Sequence, residues 1–151
     1  MSVEIPKRGS RGAKIPNPPA IIKRPMMWVF EQVMKLRGAP LAYLTTVGAK
    51  SGAERTVPLR VFDDGPDRWL VVASLAGSPK NPAWLHNLKA HPDKVRLRID
   101  KTTVPVTAST LGPADRDVAW ERIVREAPDF GTYQRSTDRV IPVVRLTRIT
   151  A

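Results

Sequence analysis

Fifteen prolines cut this chain of 151 residues into short pieces. Their share is about twice the usual ~5%. Proline removes a backbone donor and breaks helices and inner strands. A chain so punctuated argues against a bundle of long helices. It favours short strands joined by tight turns.

The apolar runs fall in a definite order. Leu41 to Val47 reads as a first strand. Glu54 to Phe62 reads as a second, with Val57, Leu59 and Val61 alternating against Pro58 and Arg60. Pro58 cannot donate to a ladder, so this strand belongs at an edge or against a ligand. Asp63-Asp64-Gly65 marks a hairpin. Arg68 to Ser74 is near-continuously apolar and reads as a central strand. Ser78-Pro79 and Asn81-Pro82 each offer a helix start, with Trp84, Leu85 and Leu88 following. Val95 to Ile99 and Thr103 to Ser109 read as a further strand pair. Gly112-Pro113 opens a helix whose apolar stripe is Ala119, Trp120, Ile123, Val124 and Ala127. Residues 129–138 read as irregular or one short helical turn, and Arg139 to Ile149 as the last strand. The expected fold class is α+β, mainly β: about six mostly antiparallel strands curled into a barrel, helices outside.

The amino-terminal region reads differently. Residues 1–19 alternate Lys7, Arg8, Arg11 and Lys14 with Gly and Pro, which predicts a basic flexible tail. Residues 20–151 then form a single domain. Within it, residues 20–37 read as a helix with Met26, Met27, Val29, Phe30, Val33 and Met34 on one face. That face is either core and pocket wall, or it lies on a membrane surface. Lys23, Arg24, Lys35 and Arg37 flank it beside Trp28, as an interfacial helix requires.

Several function classes drop out. No run approaches the ~18 apolar residues of a membrane span. The start, Met1-Ser2-Val3-Glu4-Ile5-Pro6, lacks a signal core, so a cytoplasmic protein is expected. The absence of cysteine removes disulfides, thiolate metal sites and a cysteine nucleophile. His86 and His91 do not make a metal pair, and no metal is expected. The net charge of +11, from 25 basic and 14 acidic residues, attracts polyanions. Nucleic acid, anionic lipid and a phosphorylated, carboxylate-rich cofactor are the candidates.

The stretch from Leu44 to Leu88 gathers the anion-friendly features. Gly48-Ala49-Lys50-Ser51-Gly52 is a glycine-bracketed turn in which N–H groups can converge on an anion. Lys50 adds a point charge, Ser51 a hydroxyl, and Arg55 a fork suited to phosphate. The same five residues also suit an ordinary hairpin turn, and the P-loop spacing is absent. A second element stands beside it: Ser74, Gly77, Ser78 and Pro79 bring donors to a helix start. Trp84 and Asn87 lie one turn apart on that helix. Trp84 is either a ring platform or simply core. No acid–base pair, nucleophile or ligand cluster emerges. An enzyme of this kind takes its chemistry from a cofactor.

These residues carry a resemblance. Leu44-Thr45-Thr46-x-Gly-x-Lys50-Ser51-Gly52-x-x-Arg55-x-x-Pro58-Leu59, Val72-Ala73-Ser74, and Gly77-x-x-Lys80-Asn81-Pro82-x-Trp84-x-x-Asn87-Leu88 resemble the deazaflavin-dependent nitroreductase family. So does Tyr133-x-x-x-Thr137-x-Arg139-x-Ile141-Pro142. That family comprises actinobacterial reductases with a split β-barrel that use reduced coenzyme F420. The resemblance implies that Lys50, Ser51 and Arg55 hold the cofactor's phosphate and acidic tail. It implies that Val57, Pro58, Ala73, Ser74, Pro79, Lys80, Asn81, Pro82, Ala83, Trp84 and Asn87 embrace the deazaflavin ring. The chain departs from the nitroreductase type at Ala49, Arg60, Leu75 and Phe130, so its acceptor need not be a nitroimidazole.

The implied reaction is hydride transfer from reduced deazaflavin to an electron-poor small molecule: a quinone, a nitroaromatic, or an activated enone or lactone. Tyr133 or Ser74, or solvent, supplies the proton. Arg60, Phe130, Tyr133, Trp28 and Met27 are the expected acceptor wall. The alternatives are an FMN-binding split-barrel oxidoreductase and a basic nucleic-acid-binding barrel. The strand carrying Arg96 and Arg98 shows no aromatic stacking platform, which weighs against the second. Monomer and homodimer both remain open, as does peripheral membrane contact through the basic amino-terminal segment.

Overall fold

The computed structural model describes residues 2–14, Val29, Gln32 and residues 40–150. Val29 and Gln32 are helical. The rest of the helix expected over residues 20–37, with Trp28 and Met27, lies outside the described residues.

Among the described residues seven strands form one antiparallel sheet. They are β1 (Leu41–Val47), β2 (Glu54–Arg60), β3 (Phe62–Asp63), β4 (Arg68–Val72), β5 (Val95–Ile99), β6 (Thr102–Thr110) and β7 (Val143–Arg148). Three helices accompany them: α1 (Ala83–Ala90), α2 (Pro113–Glu126) and α3 (Asp129–Ser136). The strand order is β2-β1-β5-β6-β7-β4-β3. Its two ends, β2 and β3, are consecutive in the chain, with only Val61 between them. The sheet must therefore curl until its edges meet, which makes a split barrel. Val61 donates its N–H to the Pro40 carbonyl instead of to the ladder, so the expected single strand breaks there into two. The expected edge position of Pro58 agrees with β2's place in the order.

Strand alternation sorts the core into two clusters. Ala42, Leu44, Val71, Val95, Leu97, Val106, Val144 and Leu146 fill the barrel. Phe62, Leu70, Val72, Ile123, Ala127, Ile141 and Val143 pack between the sheet and helices α2 and α3. β4 thus buries both faces, which explains its unbroken apolar run.

Three expectations change. The carboxy-terminal strand begins at Val143, four residues later than Arg139. Gln134 and Arg116 take the polar groups of the skipped residues. Gln134 Nε2 donates to the Arg139 carbonyl at 2.8 Å, and its Oε1 accepts from the Ile141 N–H at 2.9 Å. Arg116 Nε donates to the Ile141 carbonyl at 2.9 Å. Residues 129–136 form a full helix, α3, where irregular chain or one turn was expected.

The third change is the amino terminus. Residues 2–14 form a strap along the domain, not a loose tail. Val3 is 3% exposed and joins the barrel core. The Thr110 N–H donates to the Ser2 carbonyl, Gly9 N–H to Pro79, and Ala13 N–H to Gly77. Composition suggested disorder because the segment lacks a period. One apolar anchor and paired backbone groups fix it instead.

Candidate active site

Strand β4 ends at Val72, and the chain then makes an unusual turn. Leu75, Ala76 and Gly77 have φ of 43°, 52° and 82°, three left-handed residues in succession. Two of them carry a Cβ, and each such residue costs about 1–2 kcal/mol. Strain of this kind persists only where the surroundings over-determine it, and it gathers at functional sites. Gly77 has a further reason to be glycine. A Cβ there would stand 2.8 Å from the Tyr133 carbonyl oxygen, so turn and helix α3 meet backbone to backbone.

What over-determines the turn is Arg139. Its side chain is 2% exposed. Nε donates to the Ser78 carbonyl at 3.0 Å and Nη2 to the Ser74 carbonyl at 2.8 Å, one on each side of the turn. Nη1 donates to the Ala73 carbonyl at 3.1 Å and to Asn81 Oδ1 at 3.2 Å. The segment from Ala73 to Asn81 is thus wrapped round one guanidinium. Among the described residues no carboxylate lies within ion-pair distance of it. Burial lowers its pKa from the ordinary arginine value, yet arginine stays protonated in proteins.

The helix start is displaced from the first expected position. Ser78 does not cap a helix; its Oγ accepts from the Lys80 N–H at 3.2 Å and tightens the loop. Helix α1 begins after Pro82, matching the second expected start. From α1, Asn87 reaches across to the basic turn. Its Oδ1 accepts from the Ala49 N–H at 3.0 Å, and its Nδ2 donates to Thr46 Oγ1 at 3.0 Å. Asn87 is therefore a strut that ties the turn to the helix, with its amide already engaged. The turn closes on itself through Gly52 N–H to the Gly48 carbonyl and Gly48 N–H to the Ala53 carbonyl. Gly52 takes φ 71°, a conformation that favours glycine. Lys50, Ser51 and Arg55 are all exposed on it.

On the other side stands an aromatic ladder. Phe62 and Phe130 meet edge-on at 5.9 Å, and Phe130 and Tyr133 at 5.7 Å. The Arg60 guanidinium lies 5.3 Å from the Phe62 ring centre. The expected wall residues Arg60, Phe130 and Tyr133 are thus brought together, and Phe62 joins them.

A family model described as F420H(2)-dependent quinone reductase matches residues 24–148. The chain belongs to the F420H(2)-dependent quinone reductase family. An F420H(2)-dependent quinone reductase of Mycobacterium tuberculosis is 44% identical over 119 residues, covering 76% of this chain and 78% of the relative. The solved structure of an F420-H2 dependent reductase, FDR-A, is 38% identical with a TM-score of 0.64. It covers 71% of this chain and 93% of its own. A second, a domain-swapped dimer, is 35% identical with a TM-score of 0.64, covering 81% and 98%. The expected class, an oxidoreductase working with reduced coenzyme F420 on a split barrel, is that of the family.

The residues present fit such a group. A buried guanidinium without a counter-ion suits an electron-rich, acidic ring, and exposed Lys50 and Arg55 suit a phosphate and carboxylates. Not every expected contact points the same way. Trp84, 7% exposed, and Ala73, 0% exposed, belong to the barrel core. Val57 packs against that core, and its neighbour Pro58 therefore faces the opposite side of β2. Pro79, Lys80, Asn81, Pro82 and Ala83 follow the left-handed turn directly, and Asn81 also donates to the Pro6 carbonyl of the strap. A concavity of about 440 Å³ lies elsewhere, between α2 and α3, lined by Trp120, Val124 and Gln134. It contains none of the expected site residues, and convergent polar groups, not volume, identify the site.

Sequence reasoning missed three things here. Arg139 entered only as part of a motif; an arginine set directly before the apolar run Val140-Ile141-Pro142 was the available signal. Phe62 was taken as the end of a strand. The strap, whose Ser10 and Arg11 bind Asp138, gave no signal at all. Among the described residues no helix is long and apolar enough to cross a membrane. Nor does any group of three or more His, Asp or Glu converge as a metal site. On β5, Arg96 pairs with Glu54 at 2.9 Å, and Arg98 covers the Tyr43 ring at 4.4 Å.

Proposed function

We propose that this chain reduces a quinone with hydride from reduced coenzyme F420. The observation that carries the reading is the segment Ala73 to Asn81, folded round a buried cation and set against Tyr133. When bound, the cofactor supplies the hydride. The protein orients, excludes water and handles one proton. Lys50, Ser51 and Arg55 take the phosphate and acidic tail. Ser74 and the loop from Pro79 to Ala83 hold the ring. Trp84, Ala73, Val57 and Asn87 support those surfaces from behind.

The acceptor lies against Tyr133, Phe130, Phe62 and Arg60. A quinone carbonyl receives the hydride at one end of its conjugated system and a proton at an oxygen. The Tyr133 hydroxyl, or that of Ser74, delivers the proton. The aromatic ladder keeps the approach dry and suits a flat, apolar acceptor. This reading keeps the enzyme cytoplasmic and metal-free. A homodimer is the assembly to look for, since one solved relative is a domain-swapped dimer.

The test has two steps. Oxidised F420 is titrated into the protein by fluorescence, and saturable micromolar binding is expected. Reduced F420 is then mixed with a short-chain menaquinone analogue, and its consumption is followed optically. Binding without quinone-dependent turnover overturns the acceptor class. No binding overturns the whole reading.

A further inference from the structure

The Arg139 guanidinium makes four hydrogen bonds, all to neutral oxygens. Its charge is therefore not cancelled by its partners. A buried, unpaired cation is costly and is retained where something negative completes it. Among the described residues no carboxylate forms an ion pair with it. Asp138, the preceding residue, stays anionic, but it accepts only from the Ser10 and Arg11 N–H groups and the Ser10 hydroxyl and forms no ion pair with Arg139. Lys80 on the loop, Arg11 on the strap and Arg135 on α3 are exposed and positive.

We propose that Arg139 is a positioning residue with two separable roles: its fork sets the left-handed turn, and its charge holds the bound cofactor's ring in a deprotonated, anionic form. The inference rests on the deazaflavin reading above. The fork role needs planar geometry, because three of its bonds go to carbonyls on both sides of one turn. The charge role needs only a cation. Lysine keeps the second and loses the first, whereas glutamine loses both.

The experiment uses the full chain with oxidised F420 and needs no turnover. Ionisation of the bound ring is read from its absorbance as pH is varied, and affinity from fluorescence, for wild type, Arg139→Lys and Arg139→Gln. In Arg139→Gln the ring's proton affinity should rise about tenfold, the effect of losing one nearby charge at intermediate dielectric. In Arg139→Lys the ionisation should match wild type while affinity falls about tenfold or more, since the turn is no longer held.

A folded Arg139→Gln with wild-type ionisation overturns the charge role. If that variant does not fold, Arg139→Lys decides alone. Shifted ionisation there removes the charge role, and wild-type affinity there removes the fork. Failure of the wild type to bind F420 would be the failure of the deazaflavin reading itself.

Discussion

Two regions of this molecule carry the positive charge that the proposed function assigns to one ligand, and they are built in opposite ways. The turn Gly48–Gly52 is local. Its hydrogen bonds close within six residues, and Lys50 and Arg55 stand in solvent. The loop Ala73–Asn81 is assembled from afar. Its cation comes from Arg139, more than fifty-five residues downstream, and is 2% exposed. Surface charge can be removed without touching the fold. Buried charge cannot, because the same atoms satisfy backbone carbonyls. One region should therefore report on affinity alone, and the other on affinity and stability together.

The sharpest break of that contrast is Arg139→Ala. It leaves the carbonyls of Ala73, Ser74 and Ser78 without their donor. At about 1–3 kcal/mol for each unpaired buried group, the loss should reach at least ~3 kcal/mol. Calorimetry should then show a Tm lower by about 6–12 °C. An unchanged Tm would mean that water replaces the fork and that the loop is not held from within.

Gly77→Ala comes next. It puts a Cβ against the Tyr133 carbonyl in a left-handed residue, and we expect about 2 kcal/mol lost, with weakened cofactor binding. Arg55→Ala tests the other region. Cofactor affinity should fall by about 1.5 kcal/mol, close to tenfold, and the effect should shrink in salt. Its folding stability should stay within about 0.5 kcal/mol of wild type. A matching fall in Tm would erase the distinction between the two regions.

The same contrast governs what the sequence revealed. The basic turn was legible because glycine, lysine and serine act within one window. Strands β1, β4, β5 and β6 were legible because their alternation or apolar runs are local too. The break at Val61 was not, since it depends on Pro40 reaching across to take its N–H. Arg139 was invisible as a keystone because nothing near it in the chain says which carbonyls it will meet. Asn87 was read as a ligand contact. In the fold its amide is spent on Thr46 and Ala49. The family resemblance named the residues; the fold distinguishes the exposed ones, such as Lys50 and Arg55, from the buried ones, such as Ala73 and Trp84.

The smallest expected effect lies on the strap, which is exposed like the basic turn yet long-range like the Arg139 loop. Asp138 accepts from the Ser10 hydroxyl, the Arg11 N–H and the Ser10 N–H, and these bonds lower its pKa to about 2. A depressed carboxyl stabilises the folded state fully above the ordinary carboxylate range. That contribution is lost as pH falls towards 2. The clasp is therefore indifferent to pH between about 5 and 8. Asp138→Asn should barely move Tm. It should, however, speed hydrogen exchange at Gly9 and Ala13, whose N–H groups bond Pro79 and Gly77. After correction for intrinsic rates, wild type should show the same loss of protection only under strong acid. Equal protection in both proteins would mean that Val3, buried in the barrel, holds the strap without help from the clasp.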